Sequence, residues 1–173
     1  VDTVETSPTF GEATISQATL ILTAADAKTV NVKGNSDIDL STGATAHANL
    51  KTVDASAMTG ALTYTIDSTV AVVNFELTSG SGADDITVDT SNNAQVKTGD
   101  GDDKITVEAG AVSANIWGGA GKNTFDVKDT ISSAAQYVTI EDAKSGDKIL
   151  LKTDTFLSGS VSITDFDQIG LSE

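Results

Sequence analysis

The chain lacks cysteine altogether, and its 173 residues include only one proline, one methionine, one tryptophan and one histidine. Without cysteine it has neither a disulfide framework nor a thiolate metal site. The single histidine, His47, leaves little for imidazole-based catalysis, and no Gly-x-Ser-x-Gly elbow accompanies it. No run of apolar residues approaches the roughly 18 that a membrane-spanning helix needs. We therefore expect no catalytic residues and no membrane span within this chain.

Positive charge is scarce as well. The 10 Lys and Arg residues stand against 25 Asp and Glu residues, which gives a formal net charge of -15. Such a surface repels polyanions, so we expect neither nucleic acid nor an anionic membrane as a partner. Hydrophobic residues still make up 39% of the chain, which is too many for a disordered acidic tail. Acidity alone indicates only a solvated surface, but here many acids fall inside glycine-rich turns.

Three glycine-rich segments recur at nearly one interval. They begin at residues 79, 98 and 118, so their starts are 19 and 20 residues apart. Each contains at least two glycines, then one intervening residue, an Asp or Asn, and an apolar residue two positions later. Glycine tolerates positive φ, so a turn of this kind can present backbone carbonyls and a carboxylate to a cation. Calcium prefers such oxygen ligands.

Short runs of alternating apolar and polar residues return about every ten residues, among them Leu62–Ile66, Val73–Leu77, Ile86–Val88 and Ile105–Val107. Alternation with period 2 predicts strands with one buried face. Strands this short find partners when successive coils stack, so that each strand lies beside its equivalent in the next coil. Two strands per coil of 19 or 20 residues predict an all-β fold, a right-handed parallel β-solenoid.

The acidic turns are unevenly distributed along the chain, which divides it into four predicted segments. Beyond the third turn the spacing stretches to about 24 residues, so we expect Lys128–Gln136 to form a loop or a short helical turn. The segments are a cap or the tail of a preceding module at 1–18, metal-poor Thr/Ala-rich coils at 19–78, calcium-binding coils at 79–151, and a final strand or cap at 152–173.

The turns resemble the calcium-binding nonapeptide of RTX (repeat-in-toxin) proteins, Gly-Gly-x-Gly-x-Asp-x-apolar-x. The first two segments keep the Asp, as Asp84 and Asp103, whereas the third has Asn123 in its place. Val138–Leu151 is similar to the segment that closes RTX β-rolls, in which an Asp and a Gly-Asp-Lys-Ile group supply the last cation site. Upstream, Leu50–Leu62 resembles a sequence segment that is common in surface-layer (S-layer) proteins and large RTX adhesins of Gram-negative bacteria.

The resemblance implies about two to four calcium ions held between successive turns. One ion is expected between the first two turns, with Asp84 and Asp103 as carboxylate ligands. A second is expected to use Asp103 and the Asn123 amide oxygen, and a third to use Asp142 and Asp147. The implied metal-binding residues are Ser79, Gly80, Ser81, Gly82, Asp84, Gly99, Asp100, Gly101, Asp103, Gly118, Gly119, Gly121, Asn123, Asp126, Asp142 and Asp147.

The same resemblance implies a non-enzymatic, structural segment of an extracellular S-layer protein that is exported by type I secretion. Calcium would fold this segment and drive its self-association into a lattice at the cell surface, with any contact to outer-membrane polysaccharide made through another region. Two alternatives stay open, the C-terminal calcium β-roll of a secreted enzyme and a segment of an RTX adhesin. No signal-peptide pattern is visible at the start. Because the chain begins without Met, we expect it to be part of a longer protein.

Overall fold

The protein is built from short β-strands, as a computed structural model shows. The structure describes residues 2–6, 18–19, 27–40, 50–66, 74–89, 93–108, 113–128, 137–152 and 168–172. Within these ranges no helix occurs. The strands are β1 (Asp2–Thr6), β2 (Ala18–Thr19), β3 (Thr29–Gly34), β4 (Ile38–Asp39), β5 (Thr52–Met58), β6 (Leu62–Ile66), β7 (Glu76–Thr78), β8 (Asp85–Val88), β9 (Ala94–Lys97), β10 (Lys104–Val107), β11 (Ser113–Trp117), β12 (Thr124–Val127), β13 (Tyr137–Ile140), β14 (Lys148–Lys152) and β15 (Gln168–Ser172).

The chain alternates between two sheets from β1 to β14, so that each sheet receives every second strand. The first sheet has the order β1-β3-β5-β7-β9-β11-β13, and the second has the order β15-β14-β12-β10-β8-β6-β4-β2. All the strand pairs in both sheets are parallel. Parallel neighbours joined through a strand of the other sheet are the pattern of a coil that stacks on the preceding coil.

The strand register gives the length of each coil. Lys104 pairs with Asp85, a step of 19 residues, and Thr124 pairs with Lys104, a step of 20. Lys148 then pairs with Thr124, a step of 24. These steps equal the spacings of the glycine turns and the longer interval expected after them. The prediction of an all-β, parallel β-solenoid is therefore confirmed.

The core lies between the two sheets and is formed by the inward residues of each alternating strand. Along β6, for example, every second side chain is buried. One inward row runs across the second sheet through equivalent positions of β6, β8, β10, β12 and β14. Full burial of such a side chain contributes about 1.5–3 kcal/mol. The row consists of Tyr64, Ile86, Ile105, Phe125 and Ile149, of which none is more than 7% exposed.

One corner of the solenoid departs from the predicted strands. The alternation at Val73–Leu77 predicts a strand, but the strand begins only at Glu76 because Asn74 has a φ of 63°. Asn93, at the equivalent position of the next coil, has a φ of 74°. Asparagine visits this left-handed region more readily than most residues do. The Asn93 side-chain Nδ2 donates to Asn74 Oδ1 at 3.0 Å, and the Tyr137 hydroxyl donates to Asn93 Oδ1 at 2.9 Å.

Several predictions lie partly or wholly outside the described residues. These include His47 and, beyond Lys128, the loop expected before β13. The stack itself runs across residue 78, because β5 pairs with β7 and β6 pairs with β8, and β1 already pairs with β3. The division of the chain into four segments stays a prediction. In the described part of the chain, no helix has the length and hydrophobicity to cross a membrane.

Candidate cation site in the glycine-aspartate turns

Four side chains form a column at the point where the glycine turns enter the second sheet. Asp84, Asp103, Asn123 and Asp147 immediately precede β8, β10, β12 and β14, at equivalent positions of successive coils. They are 2%, 2%, 1% and 1% exposed, respectively. The alternation of the strands puts them on the same side as the core residues that follow two positions later. We call this column of four side chains the inward ladder.

Hydrogen bonds between coils connect the inward ladder. The Oδ1 atom of each member accepts the backbone N–H of the equivalent residue in the preceding coil. Leu62 N donates to Asp84 Oδ1 at 2.7 Å, and Asp84 N donates to Asp103 Oδ1 at 2.9 Å. Asp103 N donates to Asn123 Oδ1 at 3.1 Å, and Asn123 N donates to Asp147 Oδ1 at 2.8 Å. These bonds satisfy buried amides that would otherwise cost about 1–3 kcal/mol each.

Two of the ladder carboxylates retain an oxygen with no partner. Oδ2 of Asp84 and Oδ2 of Asp103 are buried and accept no hydrogen bond. Burial raises the pKa of Asp103 to about 7, and the nearby Asp84 carboxylate contributes in the same direction. Burial likewise raises the pKa of Asp84. A desolvated carboxylate in which one oxygen makes no hydrogen bond is a place where a proton or a cation is stabilised.

Hydroxyl groups lie beside these carboxylates but direct their protons elsewhere. Ser79 stands five residues before Asp84, and Thr98 stands five residues before Asp103, and each hydroxyl is close enough to lower the neighbouring pKa somewhat. However, the Ser79 hydroxyl donates to the Thr98 carbonyl at 2.8 Å, and the Thr98 hydroxyl donates to the Gly118 carbonyl at 3.2 Å. The Gly80 backbone N–H also lies near enough to Asp84 to lower its pKa, but neither Oδ2 atom makes a hydrogen bond of proper geometry.

The predicted glycines let the turns stack closely enough to bring backbone carbonyls under one another. Gly99 has a φ of +89°, and a Cβ added to it would lie 2.1 Å from the Gly80 carbonyl oxygen. At Gly119, with a φ of +65°, the Gly99 carbonyl oxygen would lie 1.8 Å from such a Cβ. No side chain fits at these distances. The turns are thus lined by peptide groups, and the same close approach recurs at Gly80, Gly82, Gly101 and Gly121.

The structure does not bring every predicted ligand to the inward ladder. Ser81 and Asp100 are exposed on the outside of their turns. Asp126 follows Phe125 in β12, so it points to the opposite side of the strand from the core. It is 8% exposed, its Oδ1 accepts no hydrogen bond, and its Oδ2 lies 3.9 Å from Lys128 Nζ.

The two acids of the closing segment have both carboxylate oxygens engaged. Asp142 accepts the backbone N–H of Gly118 at 2.7 Å through Oδ1 and that of Gly119 at 2.8 Å through Oδ2. Asp147 accepts the N–H of Asn123 through Oδ1 and that of Lys144, at 3.0 Å, through Oδ2. Both acids act here as clamps on backbone amides.

Some residues that organise the turns are absent from the sequence-based set of ligands. Thr98 is fully buried and anchors the second turn to the third. On the outer side, Asp37 Oδ1 accepts the N–H of Ala61 and Asp102 Oδ1 accepts the N–H of Lys122, at 2.8 and 2.7 Å. The sequence does carry one signal for Thr98, since a hydroxyl residue stands five positions before Asp84 and before Asp103.

Within the described residues, no three acidic, histidine or cysteine side chains converge as a metal-binding cluster. A cation at the ladder would therefore take Asp84 and Asp103 together with backbone carbonyls of the glycine turns. That donor set consists of hard oxygen atoms, which suits calcium. The unpartnered Oδ2 atoms of the two aspartates are oxygen donors of the type that such an ion takes.

Comparison with protein-family models, curated proteins and solved structures found no match to this chain. Because no relative identifies the chain, its class is defined by its fold and by the inward ladder. It is a parallel β-solenoid whose glycine turns stack buried carboxylates from coil to coil.

Proposed function

We propose that the turns at 79–84 and 98–103 bind calcium between them and that this binding orders the surrounding coils of an extracellular structural protein. The observation that carries the proposal is the pair of buried, unpartnered carboxylate oxygens on Asp84 and Asp103. Ionised groups in such surroundings cost several kcal/mol each unless an opposite charge lies nearby. A divalent cation between the two coils supplies that charge.

Calcium is favoured over smaller divalent ions by the character of the donors. It accepts six to eight oxygen ligands in flexible geometry, whereas magnesium demands a near-ideal octahedron and keeps several waters. A turn lined by peptide carbonyls, with only two carboxylates, matches the first description. Sites of the extracellular kind bind with dissociation constants of about 10⁻⁴–10⁻³ M. At a hundredfold excess over that constant, one ion stabilises the folded state by about 2.7 kcal/mol.

The wider setting we propose is a surface-layer lattice in which this chain is a calcium-ordered, non-enzymatic segment. Support comes from the sequence resemblance of the turns and of Leu50–Leu62 to RTX and S-layer proteins. The large negative charge also supports it, because calcium screens repulsion between acidic copies. Self-association with further copies of the chain is the corresponding partner interaction, and the outside of the cell is the corresponding location.

The test is circular dichroism and size-exclusion chromatography with light scattering, in EGTA and in about 5 mM calcium. We expect calcium to raise the β signal and the thermal midpoint, and to increase the molecular mass. Asp84→Asn should reduce the calcium response, whereas the neighbouring Asp85→Asn, whose side chain is 49% exposed, should keep it.

The possible outcomes separate the two levels of the proposal. A calcium-dependent increase in order without an increase in mass would support the ion site but contradict lattice formation by this segment alone, and would favour an enzyme β-roll or an adhesin segment. Identical spectra and midpoints in both buffers would contradict the ion site itself. Magnesium at the same concentration is the control for non-specific charge screening.

A further inference from the structure

The third glycine turn differs from the first two in the hydrogen bonding of its buried ladder side chain. In the turns ending at Asp84 and Asp103, the second terminal atom of the side chain, Oδ2, is a carboxylate oxygen without a hydrogen-bond partner. In the turn ending at Asn123, the equivalent atom is an amide nitrogen, Nδ2, which donates to the Gly118 carbonyl at 2.8 Å. The same position in the fold thus holds an unpartnered acceptor twice and a satisfied donor once.

The residue five positions earlier changes together with this side chain. Ser79 and Thr98 stand at that position in the turns with aspartate, whereas Gly118 stands there in the turn with asparagine. A Cβ added to Gly118 would lie 2.7 Å from Asn123 Nδ2 and 2.7 Å from Phe125 Cζ. Glycine is therefore required for the amide to reach the carbonyl. The pair of Gly118 and Asn123 forms one closed unit.

We infer that Asn123 takes the place of a cation, so that the turn at 118–123 closes by its own hydrogen bonds and holds no calcium. Its Oδ1 accepts the N–H of Asp103 and its Nδ2 donates to Gly118, so the side chain is satisfied in both directions. An ion that used the Gly118 carbonyl and the Asn123 oxygen would have to break this arrangement. The ion site is thereby confined to the gap between 79–84 and 98–103.

The coils that follow extend the metal-free arrangement. Asp142 clamps the amides of Gly118 and Gly119, and Asp147 clamps those of Asn123 and Lys144, so none of their carboxylate oxygens lacks a donor. The turns from Gly118 to β14 consequently have their ladder and clamp side chains paired without calcium, and the unpartnered Oδ1 of Asp126 lies apart from them, on the outer side of β12. These turns provide an ordered platform on which the calcium-dependent coils stack.

The test uses the full chain in EGTA, where the proposed calcium function plays no part. Asn123→Asp replaces the donor by an acceptor that faces the Gly118 carbonyl, and we expect its thermal midpoint to fall by about 5 °C or more. The matched control is Asn115→Asp, the same chemical change on the outer face of β11, which should shift the midpoint by less than about 2 °C. An Asn123→Asp midpoint equal to that of the control would overturn the inference.

Hydrogen exchange on the unmodified chain provides a second readout that does not depend on any variant folding. In EGTA, amides at 119–128 and 138–150 should exchange at least about tenfold more slowly than amides at 80–100. Equal exchange in the two sets would overturn the inference.

Calcium counting by equilibrium dialysis tests whether the turn at 118–123 lacks an ion, a part of the inference that rests on the function proposed above. Asn123→Ala should bind as many ions as the unmodified chain, while Asp103→Asn should bind fewer. Loss of an ion in Asn123→Ala would make Asn123 a ligand and overturn the inference. If the unmodified chain binds no calcium, the proposed function fails, while the self-closing turn still stands on the measurements in EGTA.

Discussion

The turns before and after Gly118 share one backbone design but satisfy their buried polar groups in different ways. At 79–103, glycines stack on carbonyls, and two ladder carboxylates each keep one oxygen without a donor. At 118–147, the same stacking occurs, but an amide and two clamping carboxylates have every polar atom paired. Whether a turn keeps an unpartnered buried oxygen, to which the proposed cation would bind, is therefore set by single side chains and not by the turn geometry.

The comparison also explains why the two regions should respond differently to their surroundings. A buried carboxylate without a donor is sensitive to protons and to metal ions, because either one neutralises it. A buried amide with both ends bonded is sensitive to neither. The predictions below challenge this contrast, in order of decreasing expected effect.

The largest effect is expected where the stacked backbones leave no room. Gly99→Ala introduces a Cβ 2.1 Å from the Gly80 carbonyl oxygen, at a residue whose φ is +89°. We expect it to lower the free energy of unfolding by about 3–5 kcal/mol. Gly146→Ala is the control, since its φ is +103° but the nearest atom is Lys122 Cγ at 3.3 Å, so the cost should be about 1–2 kcal/mol. Urea unfolding in calcium measures both. Equal costs would show that close stacking contributes nothing beyond the φ requirement.

Removing the buried charge of an aspartate turn should weaken the contrast between the regions. Asp103→Asn eliminates that charge, so in EGTA the free energy of unfolding should rise by about 1–2 kcal/mol, even though Thr98 stands where the third turn has Gly118. The gain from added calcium should shrink at the same time. Denaturant titrations with and without calcium measure both quantities. A variant that is less stable than the unmodified chain in EGTA would contradict this reading of the ladder.

Acid should stabilise the calcium-free protein. Because the pKa of Asp103 rises from the ordinary 3.8 to about 7, the folded chain holds a proton in this range that the unfolded chain releases. The free energy of unfolding contributed by this group is therefore highest below about pH 4 and declines as the pH rises towards about 7. Burial shifts the pKa of Asp84 in the same direction. Thermal midpoints in EGTA should be higher at about pH 5 than at about pH 8.

The control for this pH dependence is Asp103→Asn, in which the decline between these two pH values should become shallower. Calcium should flatten it as well, because the ion competes with the proton for the same oxygens. A midpoint that rises with pH in the unmodified chain, or a slope that Asp103→Asn leaves unchanged, would assign the effect to other groups.

The smallest effect is expected at surface charge pairs, which do not distinguish the regions. Lys104 Nζ lies 3.5 Å from Asp85 Oδ2, and both side chains are about half exposed, at 54% and 49%. Because of solvent screening, such a pair contributes less than about 1 kcal/mol to the free energy of unfolding. Lys104→Ala should therefore leave the stability nearly unchanged, both in EGTA and in calcium. A loss as large as that of Gly99→Ala would mean that surface charge, and not the buried ladder, governs this part of the stack.

Sequence reasoning succeeded for properties that depend on local periodicity. Alternation in Leu62–Ile66 predicts an inward and an outward face, and the turn spacing predicts coils of 19 and 20 residues, as the strand register shows. It failed at Val73–Leu77, where the apolar pattern continues through a corner that Asn74 makes with positive φ. That corner is also held by Asn93 and Tyr137, which are distant in the sequence.

The sequence by itself determined the parallel β-solenoid, because alternation of side chains and the φ tolerance of glycine are properties of single coils. It also indicated which positions carry the inward acids. Only the tertiary structure decided which of those acids lack a partner, since their donors come from other coils. Asp142 finds its two amides at Gly118 and Gly119, 24 and 23 residues away, whereas one oxygen of Asp103 finds none. Hydrogen bonding across coils depends on register and on the neighbouring side chain, and neither is contained in the motif of one turn.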